Sequence, residues 1–236
     1  MAEMRILYFA FVELDVPNAC RTHTLGIING FARQGCRVDA LIPRPRQAVS
    51  GHPNLRFIWL WPWRFSHIGG TWIRLLSSIL MFWLCLRNRY DAIYVRELET
   101  HPGPRWCSRF FKTALFIEIN DLLVPYFQRT GVRAARVAAV ERHQRADFRR
   151  AAGLIVNSIS MRRWFLDRYP VAPGKFHLVF NGADPPREAP LSREQARNAL
   201  GIPADGLCLG FLGNIYSRYD FDTLLNACRA CRRKIP

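Results

Sequence analysis

The sequence predicts an α/β fold, a parallel sheet with helices on both faces, followed by the first strand and helix of a second unit of the same kind. Three observations carry that prediction. Short apolar runs of strand-like period recur along the chain, amphipathic stretches of helical period fall between most of them, and Gly, Pro and Asn punctuate the joins. Hydrophobic residues make up 50% of the 236 and aromatics 13%, ample for a folded core.

Strands are expected at residues 5–12, 37–42, 55–60, 92–96, 114–119, 153–157 and 176–180. Helices are expected at 21–33, 71–86, 132–150 and 160–168, the first of them stopping at Gly35. After Asn181-Gly182, residues 183–190 hold three prolines and no apolar period, which reads as an exposed linker. A short helix runs from a Ser192 cap to Leu200 and stops at Gly201. Residues 207–212 then read as a buried strand, 213–220 as its loop and 221–234 as a helix. The expected division is a domain at 1–184, a linker with a short helix at 185–204, and an incomplete unit at 205–236. One strand and one helix bury apolar surface on a single side and enclose no core. Either the chain is a fragment or these elements pack back on the first domain.

The formal charge of +16 calls for an anionic partner: nucleotide phosphate, acidic lipid or nucleic acid. Lysine stands only at Lys112, Lys175 and Lys234, so guanidinium groups carry nearly all of that charge. They suit bidentate phosphate contacts, and they equally reflect Arg-rich coding. The arginines are spread along the chain without a nucleic-acid motif, so nucleic acid is not the expected partner. The start, Met1-Ala-Glu-Met-Arg5, has no basic n-region or sustained apolar leader, and the expected location is cytoplasmic. Seven scattered cysteines are expected as thiols, and Cys228-x-x-Cys231 lacks the second pair or His that a metal site needs. Residues 68–86 are the most apolar stretch, short for a bilayer span and interrupted by Arg74. With Trp59, Trp61, Trp63 and Trp72 nearby, the stretch fits peripheral contact with the inner face of an anionic membrane, or a buried helix beneath a Trp-rich loop.

Open parallel sheets bind ligands outside the carboxyl ends of their strands. His23, Arg96, Glu97, Glu118, Asn120, Asp121 and Ser158 should therefore converge, and the helix start around Arg21 and Thr22 offers amides to an anion. Each has a structural alternative. His23 fits a helix start, Arg96 and Glu97 a surface ion pair, and Glu118 a contact with a helix start. Asn120, Asp121 and Ser158 fit helix caps, Asn181-Gly182 a turn, and Glu141 a solvated helix face.

Three segments follow one another at consistent spacing. Residues 20–43 give a loop with Cys20-Arg-Thr-His-Thr24, a helix ending at Gly35, and a strand. Ala152-Gly-Leu-Ile-Val-Asn-Ser158, a helix, and Lys175-Phe-His-Leu-Val-Phe-Asn-Gly-Ala-Asp184 come next. The third is Leu209-Gly-Phe-Leu-Gly213, followed after eight residues by Asp222-Thr-Leu-Leu-Asn-Ala227. Together they resemble glycosyltransferase family 4, the second through its Asn-Gly-hydrophobic-Asp passage into the interdomain hinge, with Asn181 as the Asn.

The resemblance implies two Rossmann-like domains. It implies a hexosyltransferase that moves sugar, with retention, from a UDP- or GDP-sugar to a lipid-linked or polysaccharide acceptor. The nucleotide sugar is a substrate, and neither cofactor nor metal is expected. His23 would bond a sugar or acceptor hydroxyl, and Glu97 or Asp121 would take the acceptor proton. Arg21, Thr22, Arg96, Glu118, Asn120, Ser158 and Asn181 would bind substrate, and Gly213, Asn214 and Arg218 the donor diphosphate. Where the family carries Arg and then a Lys-Gly pair, this chain has Asn214, Tyr219 and Asp220, with Arg218 one place before. The family's paired glutamates would lie beyond Pro236. The alternative reading is a catalytically inactive, truncated relative serving as a binding or membrane-associated module.

Overall fold

The computed structural model describes residues 3–60, 66–96, 99–182, 189–212 and 220–232. It divides into two compact units, Met1–Gly182 and Ala183–Pro236. The first contains the strands β1 (Arg5–Phe9), β2 (Arg37–Pro43), β3 (Leu55–Leu60), β4 (Ala92–Arg96), β5 (Ala114–Ile119), β6 (Gly153–Val156) and β7 (Phe176–Leu178). Its helices are α1 (Ala19–Arg33), α2 (Ser66–Arg87), α3 (Gly103–Phe111), α4 (Leu123–Arg129), α5 (Ala134–Arg150) and α6 (Ile159–Arg168). The second unit contributes α7 (Arg193–Leu200) and α8 (Phe221–Arg232).

The strands form one seven-stranded sheet in the order β3-β2-β1-β4-β5-β6-β7, and every pairing is parallel. Alternation along each strand sends neighbouring side chains to opposite faces. Ile6 and Tyr8 of β1 join Ile28 and Ala32 of α1 in one core. Leu7 and Phe9 join Met81 and Leu84 of α2, Cys107 of α3, Phe148 of α5 and Phe165 of α6 in another. The sheet is thus covered on both faces, as its uninterrupted apolar strands require.

All seven expected strands of this unit form. The α1 helix starts earlier than expected because Asn18 caps it, its Oδ1 accepting from the Arg21 amide at 2.9 Å. His23 therefore sits in the second turn of the helix, not in its opening loop. Gly35 ends the turn after α1 at φ +83°, a backbone setting that a Cβ resists. The helices α3 and α4 were not expected. Each carries a proline in its first turn, Pro104 and Pro125, where the missing N–H costs nothing. A Cβ at Gly103 would meet Ser78 Oγ at 2.6 Å and His101 Cε1 at 2.8 Å, so glycine there is what lets α3 start against α2.

In the second unit, Ser192 caps α7 in a reciprocal box with Gln195, and Gly201 closes it at φ +65°. The expected strand at 207–212 is not formed, and Leu207, Leu209 and Leu212 are exposed. A parallel strand is stabilised by ladders on its flanks, and the described residues of this unit provide none.

Below the sheet, at the amino ends of its strands, Asp39 is buried and holds three side chains together. Arg56 grips it bidentately at 2.8 and 2.7 Å, the Tyr90 hydroxyl donates at 2.6 Å, and Arg5 lies at 3.5 Å. At the other end, His101 is buried between α2 and α3. Its Nδ1 accepts from the Gly103 amide at 3.2 Å, so Nε2 carries the proton and donates to Ser77 Oγ at 2.7 Å. The Ser77 hydroxyl in turn donates to the Ile73 carbonyl at 2.5 Å.

Burial pushes the His101 pKa down to about 3 from the ordinary 6.5. Its neutral form is favoured by the fold, so stability is fully present above about pH 6.5 and is lost as pH falls toward the folded value. Between about pH 7 and pH 5 this single group should account for about 2 kcal/mol of lost stability. Urea unfolding of His101→Gln at those two values should show a pH dependence smaller by that amount than the parent chain.

Candidate functional site

The strand order reverses between β1 and β4, and the crevice above that point is bordered by the start of α1 and the carboxyl ends of β4 and β5. Register places Tyr8 beside Tyr94, Tyr94 beside Phe116 and Arg96 beside Glu118. Parity turns Tyr8, Tyr94 and Glu118 to the α1 side, where Tyr8 and Tyr94 stack at 5.6 Å.

Glu118 is the centre of this group and only 3% exposed. Its Oε1 accepts from His23 Nε2 and from Asn120 Nδ2, each at 2.5 Å, and its Oε2 accepts from the Tyr94 hydroxyl at 3.1 Å. Burial works against the ionised form. Hydrogen bonds from His23 and Asn120, with the charges of His23 and Arg96, outweigh that and hold the carboxyl below its ordinary range. Burial, reinforced by the Glu118 charge, pushes the Tyr94 phenol well above its own, so Tyr94 remains a donor. Donation of Nε2–H to Glu118 leaves Nδ1 of His23 as the acceptor nitrogen.

One cation, Arg96, stands beside this centre, and a second, Arg21, lies in the first turn of α1. Arg96 Nη2 reaches Cys20 Sγ at 3.4 Å, while its Nη1 is buried without a hydrogen-bond partner among the described residues. Arg21 Nε is buried in the same unpaired condition. Unpaired buried guanidinium nitrogens are costly and suit an anion bound between them and solvent.

The residues expected from the sequence thus separate. His23, Glu118, Asn120 and Arg96 come together. Ser158 is used as the cap of α6, accepting from the Met161 amide at 3.2 Å, and the Thr22 hydroxyl returns to the Asn18 carbonyl at 3.3 Å. The amides of the first turn of α1 are in part answered by Asn18, so the expected anion cradle around Arg21 and Thr22 is partly occupied by the protein itself. Asp121 and Asn181 are exposed and outside the hydrogen-bonded group. Glu97, Gly213, Asn214 and Arg218 lie outside the described residues. Tyr94 and Cys20 belong to the site and were not anticipated. Strand parity relative to Glu118 would have found Tyr94 had the β4–β5 pairing been known. Among the described residues, no group of three or more His, Cys, Asp or Glu is placed to hold a metal ion.

A wholly parallel open sheet with its polar cluster at the switch point defines a Rossmann-like domain built to receive a ligand at its carboxyl edge. Residues 18–182 match the glycosyl transferase 4-like domain, and the chain belongs to that family. The D-inositol 3-phosphate glycosyltransferase of Saccharomonospora viridis is 39% identical over 83 residues, which are 35% of this chain and 19% of that protein. A glycosyltransferase from Rickettsia africae superposes with a TM-score of 0.53 at 10% identity, over 86% of this chain and 51% of its own. Anabaena Alr3699/HepE, solved with UDP, gives 0.52 at 15% identity over 84% and 50%. Phytolacca americana UGT2, solved with UDP-2fluoro-glucose and pterostilbene, gives 0.52 at 9% over 77% and 54%. At such identities the likeness is one of fold, and the chain spans about half of each solved relative.

Tyr94→Phe removes one of three donors to Glu118 and should cost about 1 kcal/mol, whereas Glu118→Ala leaves all three without their acceptor and should cost about 3 kcal/mol. Equal unfolding free energies for the two variants would show that Glu118 does not organise the group.

Proposed function

We propose that this chain supplies the acceptor-side domain, residues 1–184, and through the linker 185–204 the opening of the donor-side domain, 205–236, of a cytoplasmic hexosyltransferase. The donor is a UDP- or GDP-sugar. The acceptor is a lipid-linked or polysaccharide glycan met at the inner face of an anionic membrane. Membership of the glycosyl transferase 4-like family supports the reading, as does a fold shared with proteins solved with UDP and a UDP-sugar.

The observation that carries it is the His23–Glu118 pair at the crevice. A carboxylate fixed below its ordinary pKa keeps the imidazole oriented and stabilises the imidazolium that forms when Nδ1 takes a proton. In transfer, the acceptor hydroxyl loses its proton to His23 as its oxygen bonds to the anomeric carbon. The bond from that carbon to the diphosphate oxygen breaks, and the electron pair leaves with the phosphate. Negative charge then develops on the departing diphosphate, the group that the family resemblance assigns to Gly213, Asn214 and Arg218 and that the unpaired nitrogens of Arg96 and Arg21 suit by their charge. No metal is needed on this reading, because guanidinium groups and amides meet the leaving charge. Glu97 and Asp121 remain proton acceptors of the second rank, and the retention that the family resemblance implies requires the acceptor oxygen to bond on the same face of the anomeric carbon that the diphosphate leaves. The departures at Asn214 and Tyr219 favour the second reading, an inactive binding module of the same fold.

The test is made on protein carrying a complete donor-side domain. His23→Ala should lower kcat by about 10²- to 10⁴-fold while the donor signal in saturation-transfer NMR is kept. Absence of contact with every member of a UDP- and GDP-sugar panel would sink the transferase reading and leave the binding module.

A further inference from the structure

The α2 helix buries one face and leaves the other bare. Ser77, Met81, Leu84 and Cys85 pack inward. Trp72, Leu76, Ile79, Trp83 and Leu86, spaced by four, three, four and three, form an outward stripe in which none is less than 46% exposed. The stripe is about 21 Å long at 1.5 Å per residue. It is widened by α3, whose Trp106 and Phe110 are 57% and 68% exposed, and the Phe82 and Phe110 rings meet at 5.0 Å, making the two helices one apolar surface. Isolated exposed apolar residues are ordinary; a contiguous face of this extent marks something it binds.

Charge identifies the occupant. Neither α2 nor α3 contains a single Asp or Glu. The Arg87 guanidinium lies over the Trp83 ring at 4.7 Å. Arg109 lines a shallow groove with Phe82, Trp106 and Phe110, and Arg105, Arg149 and Arg150 border the adjoining one. Aromatics at the rim, aliphatics along the middle and arginines whose stems can lie along them are the composition of a surface set into the headgroup level of a bilayer. A second copy of the chain fits poorly, since a two-fold pairing would bring arginines against arginines with no carboxylate from either helix. No helix among the described residues is long and apolar enough to cross a membrane, so the surface lies on the bilayer and does not span it.

We propose that the outward face of α2 and α3 is a docking surface for an anionic phospholipid bilayer, with Trp72, Ile79, Trp83, Trp106 and Phe110 entering the headgroup region and Arg87 and Arg109 meeting lipid phosphates. This gives the membrane contact of the proposed function its location; it keeps the 68–86 stretch and Trp72 of the sequence expectation and adds α3 in place of the loop tryptophans. Trp59 stacks on Phe57 within β3 at 4.8 Å, and Trp61 and Trp63 lie outside the described residues. The inference rests on exposure and charge alone, and it stands or falls without any sugar being transferred.

Sedimentation of the chain with vesicles of phosphatidylcholine alone and with added phosphatidylglycerol tests it. Binding should require phosphatidylglycerol and weaken with added salt. Ile79→Asp, at an exposed position, should weaken it at least about tenfold, and the paired change Arg87→Glu with Arg109→Glu should abolish the preference for anionic lipid. Both variants should keep the parent's thermal melt. Equal binding to the two vesicle types, no binding to either, or a folded Ile79→Asp that binds like the parent would overturn the proposal. So would a concentration-dependent dimer that Ile79→Asp dissolves, or loss of vesicle binding only when an acidic protein is supplied.

Discussion

The parallel pairing of β1 with β4 is the constraint on which the rest of the first unit depends. The chain leaves β1, builds β2 and β3 to one side, crosses over through α2, and returns on the other flank of the strand it started from. That return makes β1 the middle of a sheet buried on both faces, which its residues Ile6 to Phe9 can tolerate only because every one is apolar or aromatic. It also creates the reversal of strand order above which the crevice opens. A register slip of one residue would turn Tyr94 away from Glu118 and place Val95 there.

Within the crevice, a single carboxylate settles the protonation of its neighbours. Glu118 takes three hydrogen bonds, and each donor is thereby fixed: His23 by its Nε2 tautomer, Tyr94 as a phenol, Asn120 by its amide orientation. Asp39 does comparable work at the opposite end of the sheet, where Arg56, Arg5 and Tyr90 meet it. Both ends leave a buried guanidinium nitrogen without a hydrogen-bond partner among the described residues, Nε of Arg5 beside Asp39 and Nη1 of Arg96 beside Glu118.

Most of the fold was legible in the sequence, and the reason is local. Strands such as 37–43 and 114–119 are dense apolar runs whose identity needs no knowledge of their neighbours. The helices α3 and α4 were not expected; both are short, 9 and 7 residues, and carry a proline in the first turn, so they show little helical period. The 207–212 segment has a strand's composition without the ladder that would make it one. For the site, strand-end position found His23, Arg96, Glu118 and Asn120, but not which partner each takes. That depends on strand adjacency, which one sequence does not encode in its period. Ser158 shows the converse: the same Ser at a strand-to-helix join serves as a cap, and its chemistry was spent on the backbone.

The tie between His101, Ser77 and Gly103 has a consequence for the outer face of α2. Because the helix is clamped from within, its exposed aromatic stripe is already ordered before it meets anything. An amphipathic tail that folds only on contact loses chain entropy at that moment, and its affinity is reduced accordingly. A preformed, rigid platform avoids that loss. It also fixes an angle of approach, so the whole domain, crevice included, would be held at one attitude toward whatever surface receives it.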